Sequence, residues 1–231
     1  MINCIPPGWS SHRFPGGAFC VPAPLDDLAR EDWFDARRPD AVPVGEGGRQ
    51  AAWFVDGRHG PAVLRHYRRG GLRARLGRES YLWLGESRVR AYAEVRVLAH
   101  LRQAGLRVPD PLGVAYWRQD AFFYRNAILI SRIDGAQALA GRLDRAEPAA
   151  VAQAIMAIHA AGVWHADLNA YNILFDADDH VWLIDFDRAR LGPVSPADAR
   201  KNRLRLRRSL VKVAGARGAQ WWDALSRCLP P

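Results

Sequence analysis

The string His165-Ala166-Asp167-Leu168-Asn169-Ala170-Tyr171-Asn172-Ile173-Leu174, followed further on by Asp185-Phe186-Asp187, constrains this chain more than any other feature. Both strings adjoin short apolar runs: Val163-Trp164 before the first, Ile173-Leu174-Phe175 at its end, and Val181-Trp182-Leu183-Ile184 before the second. Runs this short read as strands, and Asp176-Ala177-Asp178-Asp179 reads as the turn joining the last two. Folding back at that turn brings Asp167, Asn172 and Asp185 to strand ends, so two carboxylates and one amide cluster. An isolated Asp or Asn usually only makes a turn. Three of them with apolar strands between them call for a chemical reason.

Phosphoryl transfer supplies one. It needs magnesium between phosphate oxygens, and magnesium favours oxygen ligands, which Asn172 and Asp185 offer. The attacking hydroxyl needs a carboxylate to orient it and accept its proton, and Asp167 is the candidate. His165, directly after a strand, reads as a packing residue that hydrogen-bonds backbone. His159 reads as a helix-end residue suited to the macrodipole.

The remaining pattern is α+β. Residues 1–40 are rich in Pro, Gly and aromatics without a period and read as an irregular arm. Residues 41–131 form an N-lobe: a cluster Gly45-Glu46-Gly47-Gly48, then strand Ala51–Val55, a turn at Asp56-Gly57, and strand Ala62–Tyr67. Ser87 caps a helix running to about Gln103, with Ala91, Val95, Leu98 and Leu101 on one face and Gly105 past its end. Pro109 and Pro111 break the chain before strands Phe122–Tyr124 and Ala127–Ile130. Residues 132–231 form a C-lobe, in which Pro148 opens a helix with Val151, Ile155 and Ile158 on its apolar face. Gly162 closes that helix, and a basic helical tail follows from Asp198. Short glycine clusters usually make turns, and this one gains weight from its place before a hairpin and ahead of Arg65. Arg65 suits phosphate, with Glu94 holding it from the helix; a solvated surface pair is the competing reading.

Net charge is +9, and Lys201 and Lys212 are the only lysines. A GC-rich coding sequence would produce that bias without functional meaning. Guanidinium forks kept for phosphates or carboxylates would produce it too. Cys4, Cys20 and Cys228 form no CxxC pair, which argues against a zinc site or a disulfide framework. No leader pattern opens the chain, and the most apolar stretch, Ala149 to Trp164, is interrupted by Gln153 and His159, so no membrane span is expected.

Residues 44–191 resemble the protein-kinase-like fold, and the strings His165–Asn172 and Asp185-Phe186-Asp187 resemble the bacterial 3-deoxy-D-manno-octulosonic acid (Kdo) kinases of the lipopolysaccharide kinase group. The likeness extends to Leu64-Arg65-His66-Tyr67-Arg68-Arg69-Gly70-Gly71-Leu72 and to Arg203-Leu204-Arg205-Leu206-Arg207-Arg208-Ser209-Leu210. It implies two lobes, an N-terminal antiparallel sheet plus helix and a reduced, mainly helical C-lobe, with ATP and Mg2+ as cofactors. By the same resemblance Asp167 is the catalytic base and Asn172 and Asp185 are the metal ligands. Gly45, Gly47 and Gly48 would cover the nucleotide, and Arg65 takes the place of the phosphate-binding lysine with Glu94 as its helix partner. Ser131 to Ile133 would be the hinge whose backbone meets adenine. Four positions depart from the kinase pattern: Arg65 and Asn169 stand for lysines, Asp187 for a glycine, and Ala166 for the arginine that links to a phosphorylated activation loop. Control through such a loop is therefore not expected.

No Ala-Pro-Glu segment follows Asp187, so a peptide platform is not expected and the acceptor is a compact hydroxyl compound. The resemblance points to the Kdo sugar of Kdo-lipid A, an anionic glycolipid, met at the cytoplasmic face of the bacterial inner membrane by a peripheral protein. Arg68, Arg69, Arg73, Arg75 and Arg78 form a basic stretch suited to such an anion. Arg200 to Val213 alternates Leu204, Leu206, Leu210 and Val211 with basic residues, which suits a surface lying on anionic lipid; a helix docked on the core with a solvated basic face fits equally. A kinase of another sugar such as a core heptose, or a non-catalytic nucleotide- or RNA-binding module, are the alternatives. No RNA-binding signature is visible and no nucleic-acid partner is expected.

Overall fold

The structure, a computed structural model, describes residues 5–45, 52–68 and 80–229. The chain divides into two compact units, one of Met1–Ala99 with Asp110–Arg132 and one of His100–Pro109 with Ile133–Pro231.

The first unit is built on an antiparallel sheet. Its strands are β1 (Trp9–Phe14), β2 (Gly17–Pro22), β3 (Val42–Pro43), β4 (Ala52–Val55), β5 (Ala62–His66) and β6 (Tyr81–Leu82). After helix α1 (Arg90–Gln103) come β7 (Pro111–Arg118) and β8 (Phe123–Ser131). Their order is β1-β2-β7-β8-β5-β4-β3, with β6 also on β8. Alternation along the strands gives the sheet two apolar faces. On one, Phe19, Val21, Leu64, Ala127 and Leu129 pack with Trp33 and Phe34 from a short 3-10 turn. On the other, Tyr116 meets the edge of Tyr92 in α1 at 6.1 Å. The first amides of α1 are met from β8, Tyr124 Oη accepting from Arg90 N and Asn126 Oδ1 from Ala91 N.

Several expectations need correction. The supposedly irregular arm contains a hairpin with register Trp9↔Pro22 to Phe14↔Gly17, and β2 continues into the sheet through β7. Its first strand is polar and half-exposed, which hid the alternation. Pro111 opens β7 rather than breaking the chain, because a strand's first residue tolerates a missing N–H. Gly113 sits in that strand because a Cβ there would lie 2.9 Å from the Phe34 ring. The two strands expected near 122–130 are one, β8. Ser87 lies inside a 3-10 turn, Glu86–Arg88, instead of capping α1.

The second unit contains β9 (Gln137–Ala138), α2 (Pro148–Ala160), β10 (Val163–Trp164), β11 (Ile173–Phe175), β12 (Val181–Leu183), β13 (Arg190–Leu191) and α3 (Pro196–Arg227). Strands β12-β11-β9 form one small sheet and β10-β13 another. Val151, Ile155 and Ile158 of α2 are buried, as the apolar spacing requires. Pro148 is tolerated in its first turn, and the Glu147 side chain accepts from Ala149 N. Ser195 caps α3, its hydroxyl accepting from Asp198 N. Gly215, at φ 55° and ψ −128°, kinks α3 sharply, and Gly218 then lies so close to Leu210 that a Cβ would be 2.1 Å from the Leu210 carbonyl oxygen. Trp221 and Leu225 beyond the kink are buried, and Trp221 Nε1 donates to Ala146 O. Among the described residues no helix is long and apolar enough to cross a membrane.

Candidate active site

The site in the second unit starts from His165, which is fully buried. The Asp167 backbone N–H donates to its Nδ1 at 3.0 Å, so Nε2 carries the proton and donates to Ile184 O at 2.9 Å. Burial pushes the His165 pKa down against the weaker opposing pull of Asp185 and Asp167, keeping the ring neutral. Phe186 packs on it with ring centroids 4.8 Å apart. One imidazole thus links the Asp167 turn to the residue before Asp185. This is the structural role its place after a strand suggests.

The Asp167 carbonyl accepts from two side-chain amides, Asn169 Nδ2 at 3.0 Å and Asn172 Nδ2 at 2.9 Å. A carbonyl cannot donate, so the Asn172 amide must turn its NH2 towards Asp167 and its Oδ1 away. Ile184 N donates to Asn172 O at 3.1 Å, placing Asn172 and Asp185 on adjoining strand ends. Asp185 itself adopts φ 62°, a left-handed conformation that short polar side chains tolerate and that recurs at functional sites. Asp167, Asn172 and Asp185 are therefore held by one hydrogen-bonded network. Oδ1 of Asn172 and the Asp185 carboxylate are hard oxygen donors of the kind magnesium takes, so these residues fit that ion.

The sequence did not reveal how α3 grips this loop. Buried Asn202 donates through Nδ2 to His165 O at 2.5 Å and accepts through Oδ1 from His165 N at 3.4 Å and His159 Nε2 at 3.0 Å. Ser209 Oγ accepts from Ala170 N at 3.1 Å, and Trp164 Nε1 donates to Asp198 O at 3.1 Å. Between them Arg205 donates from Nε to Asp167 Oδ1 at 2.7 Å, and its Nη2 lies 2.6 Å from the same oxygen as an ion pair. Spacings of three and four residues put Asn202, Arg205 and Ser209 on one helix face. That periodicity was present in the sequence, beneath the more conspicuous basic run. His159 stands in the last turn of α2 as expected, but burial lowers its pKa, so it serves as a neutral donor to Asn202 and not as a cation on the helix dipole.

In the first unit Arg65 of β5 pairs with Glu94 of α1, and Tyr67 Oη donates to the same carboxylate oxygen. Glu94 is only 2% exposed, which rules out a solvated surface pair. Gly45 has φ 81°, a left-handed turn that suits glycine; Gly47 and Gly48 lie outside the described residues, as do Arg69, Arg73, Arg75 and Arg78. Ser131 ends β8 with its amide donating to Asp110 O and its hydroxyl accepting from Asp110 N, both at 2.8 Å. Its N–H and hydroxyl oxygen are thereby engaged, and the division between the units falls next to it, before Ile133. Of the apolar residues Leu204, Leu206, Leu210 and Val211 of the basic stretch, Leu206 and Leu210 are buried while Leu204 and Val211 are exposed.

A model of the lipopolysaccharide kinase (Kdo/WaaP) family matches residues 35–227. The chain belongs to that family. The 3-deoxy-D-manno-octulosonic acid kinase of Stenotrophomonas maltophilia (strain K279a) is 47% identical to it over 184 residues, covering 78% of this chain and 74% of the relative. The protein of the same name from Xanthomonas campestris pv. campestris (strain B100) is 46% identical over 189 residues, covering 80% and 74%. Among solved structures, the chain resembles one described as WaaP in complex with acyl carrier protein, at a TM-score of 0.55 and 18% identity, over 92% of this chain and 89% of that one. This places the fold among α+β kinase-like proteins. As a lipopolysaccharide kinase the chain is a phosphotransferase with a hydroxyl acceptor, working in lipopolysaccharide core biosynthesis.

Proposed function

We propose that this kinase uses ATP and Mg2+ to phosphorylate a hydroxyl of the Kdo sugar on Kdo-lipid A. The observation that carries the reading is the network joining Asp167, Asn172 and the segment of Asp185. The shared name of the Stenotrophomonas and Xanthomonas relatives supports the choice of sugar. Asn172 Oδ1 and the Asp185 carboxylate are the groups that would hold the metal. Bound there, Mg2+ would supply positive charge to the triphosphate oxygens.

Asp167 orients the acceptor hydroxyl and takes its proton as that oxygen bonds to the γ-phosphorus of ATP and the bond from that phosphorus to the departing ADP breaks. His165 keeps the loop in place and carries no proton to substrate, because Nε2–H is committed to Ile184 O and Nδ1 to Asp167 N. Arg65, held by Glu94, is proposed to meet nucleotide phosphate, Gly45, Gly47 and Gly48 to cover it, and the backbone of Ser131–Ile133 to meet adenine. The exposed face of α3, with Arg200, Leu204, Arg207, Arg208 and Val211, supports peripheral contact with anionic lipid at the cytoplasmic face of the inner membrane.

Mass spectrometry of lipid A carrying one Kdo, after incubation with enzyme, ATP and Mg2+, tests the substrate. The expected result is a gain of one phosphate on the sugar. No gain there, with phosphate added to a heptose-bearing core instead, would assign the acceptor to the heptose.

A further inference from the structure

Asn169 stands where kinase catalytic loops carry a lysine, and its side chain is fully used within the loop. Its Nδ2 donates to Asp167 O at 3.0 Å and its Oδ1 accepts from Tyr171 N at 2.8 Å. The loop therefore offers no cation to Asp167, and the one paired with that carboxylate comes from α3. We propose that Arg205 is the positioning residue of Asp167, fixing its carboxylate from the C-terminal helix in place of a loop cation. The proposal rests on Asp167 being the residue that meets the acceptor hydroxyl.

Both Arg205 contacts, Nε at 2.7 Å and Nη2 at 2.6 Å, fall on Oδ1. Among the described residues Oδ2 accepts no hydrogen bond, so the two oxygens divide their work. Oδ1 is anchored, which fixes the carboxylate plane, and Oδ2 is left to accept the hydroxyl proton. An ordinary surface ion pair would carry little weight here, since two long side chains in water rarely keep one geometry. Arg205 differs because its neighbours on the same face are pinned to the same loop. Asn202 holds His165 by both backbone groups, and Ser209 holds Ala170 by its amide. The helix positions 202, 205 and 209 are thus matched to loop positions 165, 167 and 170, with the guanidinium at the centre. The pair is half-open, at 45% exposure for Arg205 and 32% for Asp167, so substrate can reach the carboxylate while it is held.

Phosphoryl transfer rewards such anchoring, because its loose transition state depends on alignment and charge more than on early deprotonation. Loss of alignment by about an ångström is enough to cost on the order of 100-fold in rate.

The test is steady-state kinetics on Kdo-lipid A with four variants, Arg205→Ala, Arg205→Lys, Asp167→Ala and the Asp167→Ala/Arg205→Ala double. Arg205→Ala should lower kcat by about 10- to 100-fold while KM for ATP stays within about twofold. Added guanidinium at millimolar concentration should restore part of that loss, which a merely structural defect would not permit. In an Asp167→Ala background, adding Arg205→Ala should change the residual rate by less than about twofold, since a residue that acts through another has nothing left to act on. Should the alanine variant lose its cooperative melting transition, Arg205→Lys gives the same reading. It keeps the charge without the fork, and its kcat should fall several-fold below the parent. Parental kcat in the Arg205 variants, or losses that neither respond to guanidinium nor vanish in the Asp167→Ala background, would overturn the proposal alone. A parental rate in Asp167→Ala would overturn the base assignment and this proposal with it.

Discussion

Each unit contains an arginine–carboxylate pair between separate elements, yet the two pairs serve different ends. In Arg65–Glu94 the carboxylate is 2% exposed and its paired oxygen also accepts from the Tyr67 hydroxyl, so the pair is closed to solvent on the carboxylate side. In Arg205–Asp167 the carboxylate is 32% exposed and, among the described residues, one of its oxygens is held. The chemistry of the pair is the same, and solvent access decides the outcome. A buried pair resists separation because either partner alone would be an uncompensated charge. A half-open pair stabilises little but can align a group that must meet substrate.

Mutation should separate these roles. The largest effect is expected in the open pair and on rate: Asp167→Ala should lower turnover by about 10²- to 10⁴-fold, with nucleotide affinity by calorimetry nearly unchanged. Next comes the buried pair and stability. Glu94→Ala removes the buried carboxylate that pairs with Arg65 and should cost about 3–5 kcal/mol in denaturant unfolding. Equal stability in parent and variant would mean that the pair is no strut.

A smaller effect concerns the histidines that secure the open pair's loop. Burial lowers the pKa of both His159 and His165, so the folded protein keeps them neutral where the unfolded chain takes up protons. Their contribution is therefore fully present above an unfolded pKa of about 6.5 and is lost as pH falls below it, by at most about 1.4 kcal/mol per pH unit for each histidine. Melting temperature should decline from pH 7 to pH 5, and less steeply in His159→Gln. The smallest effect is the stability change of Arg205→Ala, expected below about 1 kcal/mol even though its rate falls. A large stability loss there would erase the contrast between the pairs.

The sequence made some of this legible and hid the rest for physical reasons. Asp167, Asn172 and Asp185 could be placed at strand ends because β10, β11 and β12 are apolar runs with an acidic turn between the last two. The face of α2 was readable because Val151, Ile155 and Ile158 follow helical spacing and pack on one side. In contrast, β1 was missed because its residues are mostly polar, and β7 because Pro111 and Gly113 mimic a break. The basic helix was half-read: its charge pointed outward as expected, while Asn202, Arg205 and Ser209 point at a loop far away in sequence. Their spacing of three and four residues marks one helix face but not the loop that face meets, so the clamp emerges only in the folded chain.

The account centres on Asn172 and Asp185 sharing one divalent ion with the nucleotide. Mn2+ binding in the presence of ATP, followed by electron paramagnetic resonance, tests this most directly. The account predicts a tightly bound ion in the parent, a weaker one in Asn172→Ala, and loss of metal-dependent ATP binding in Asp185→Ala. Parental Mn2+ affinity in Asp185→Ala would contradict it.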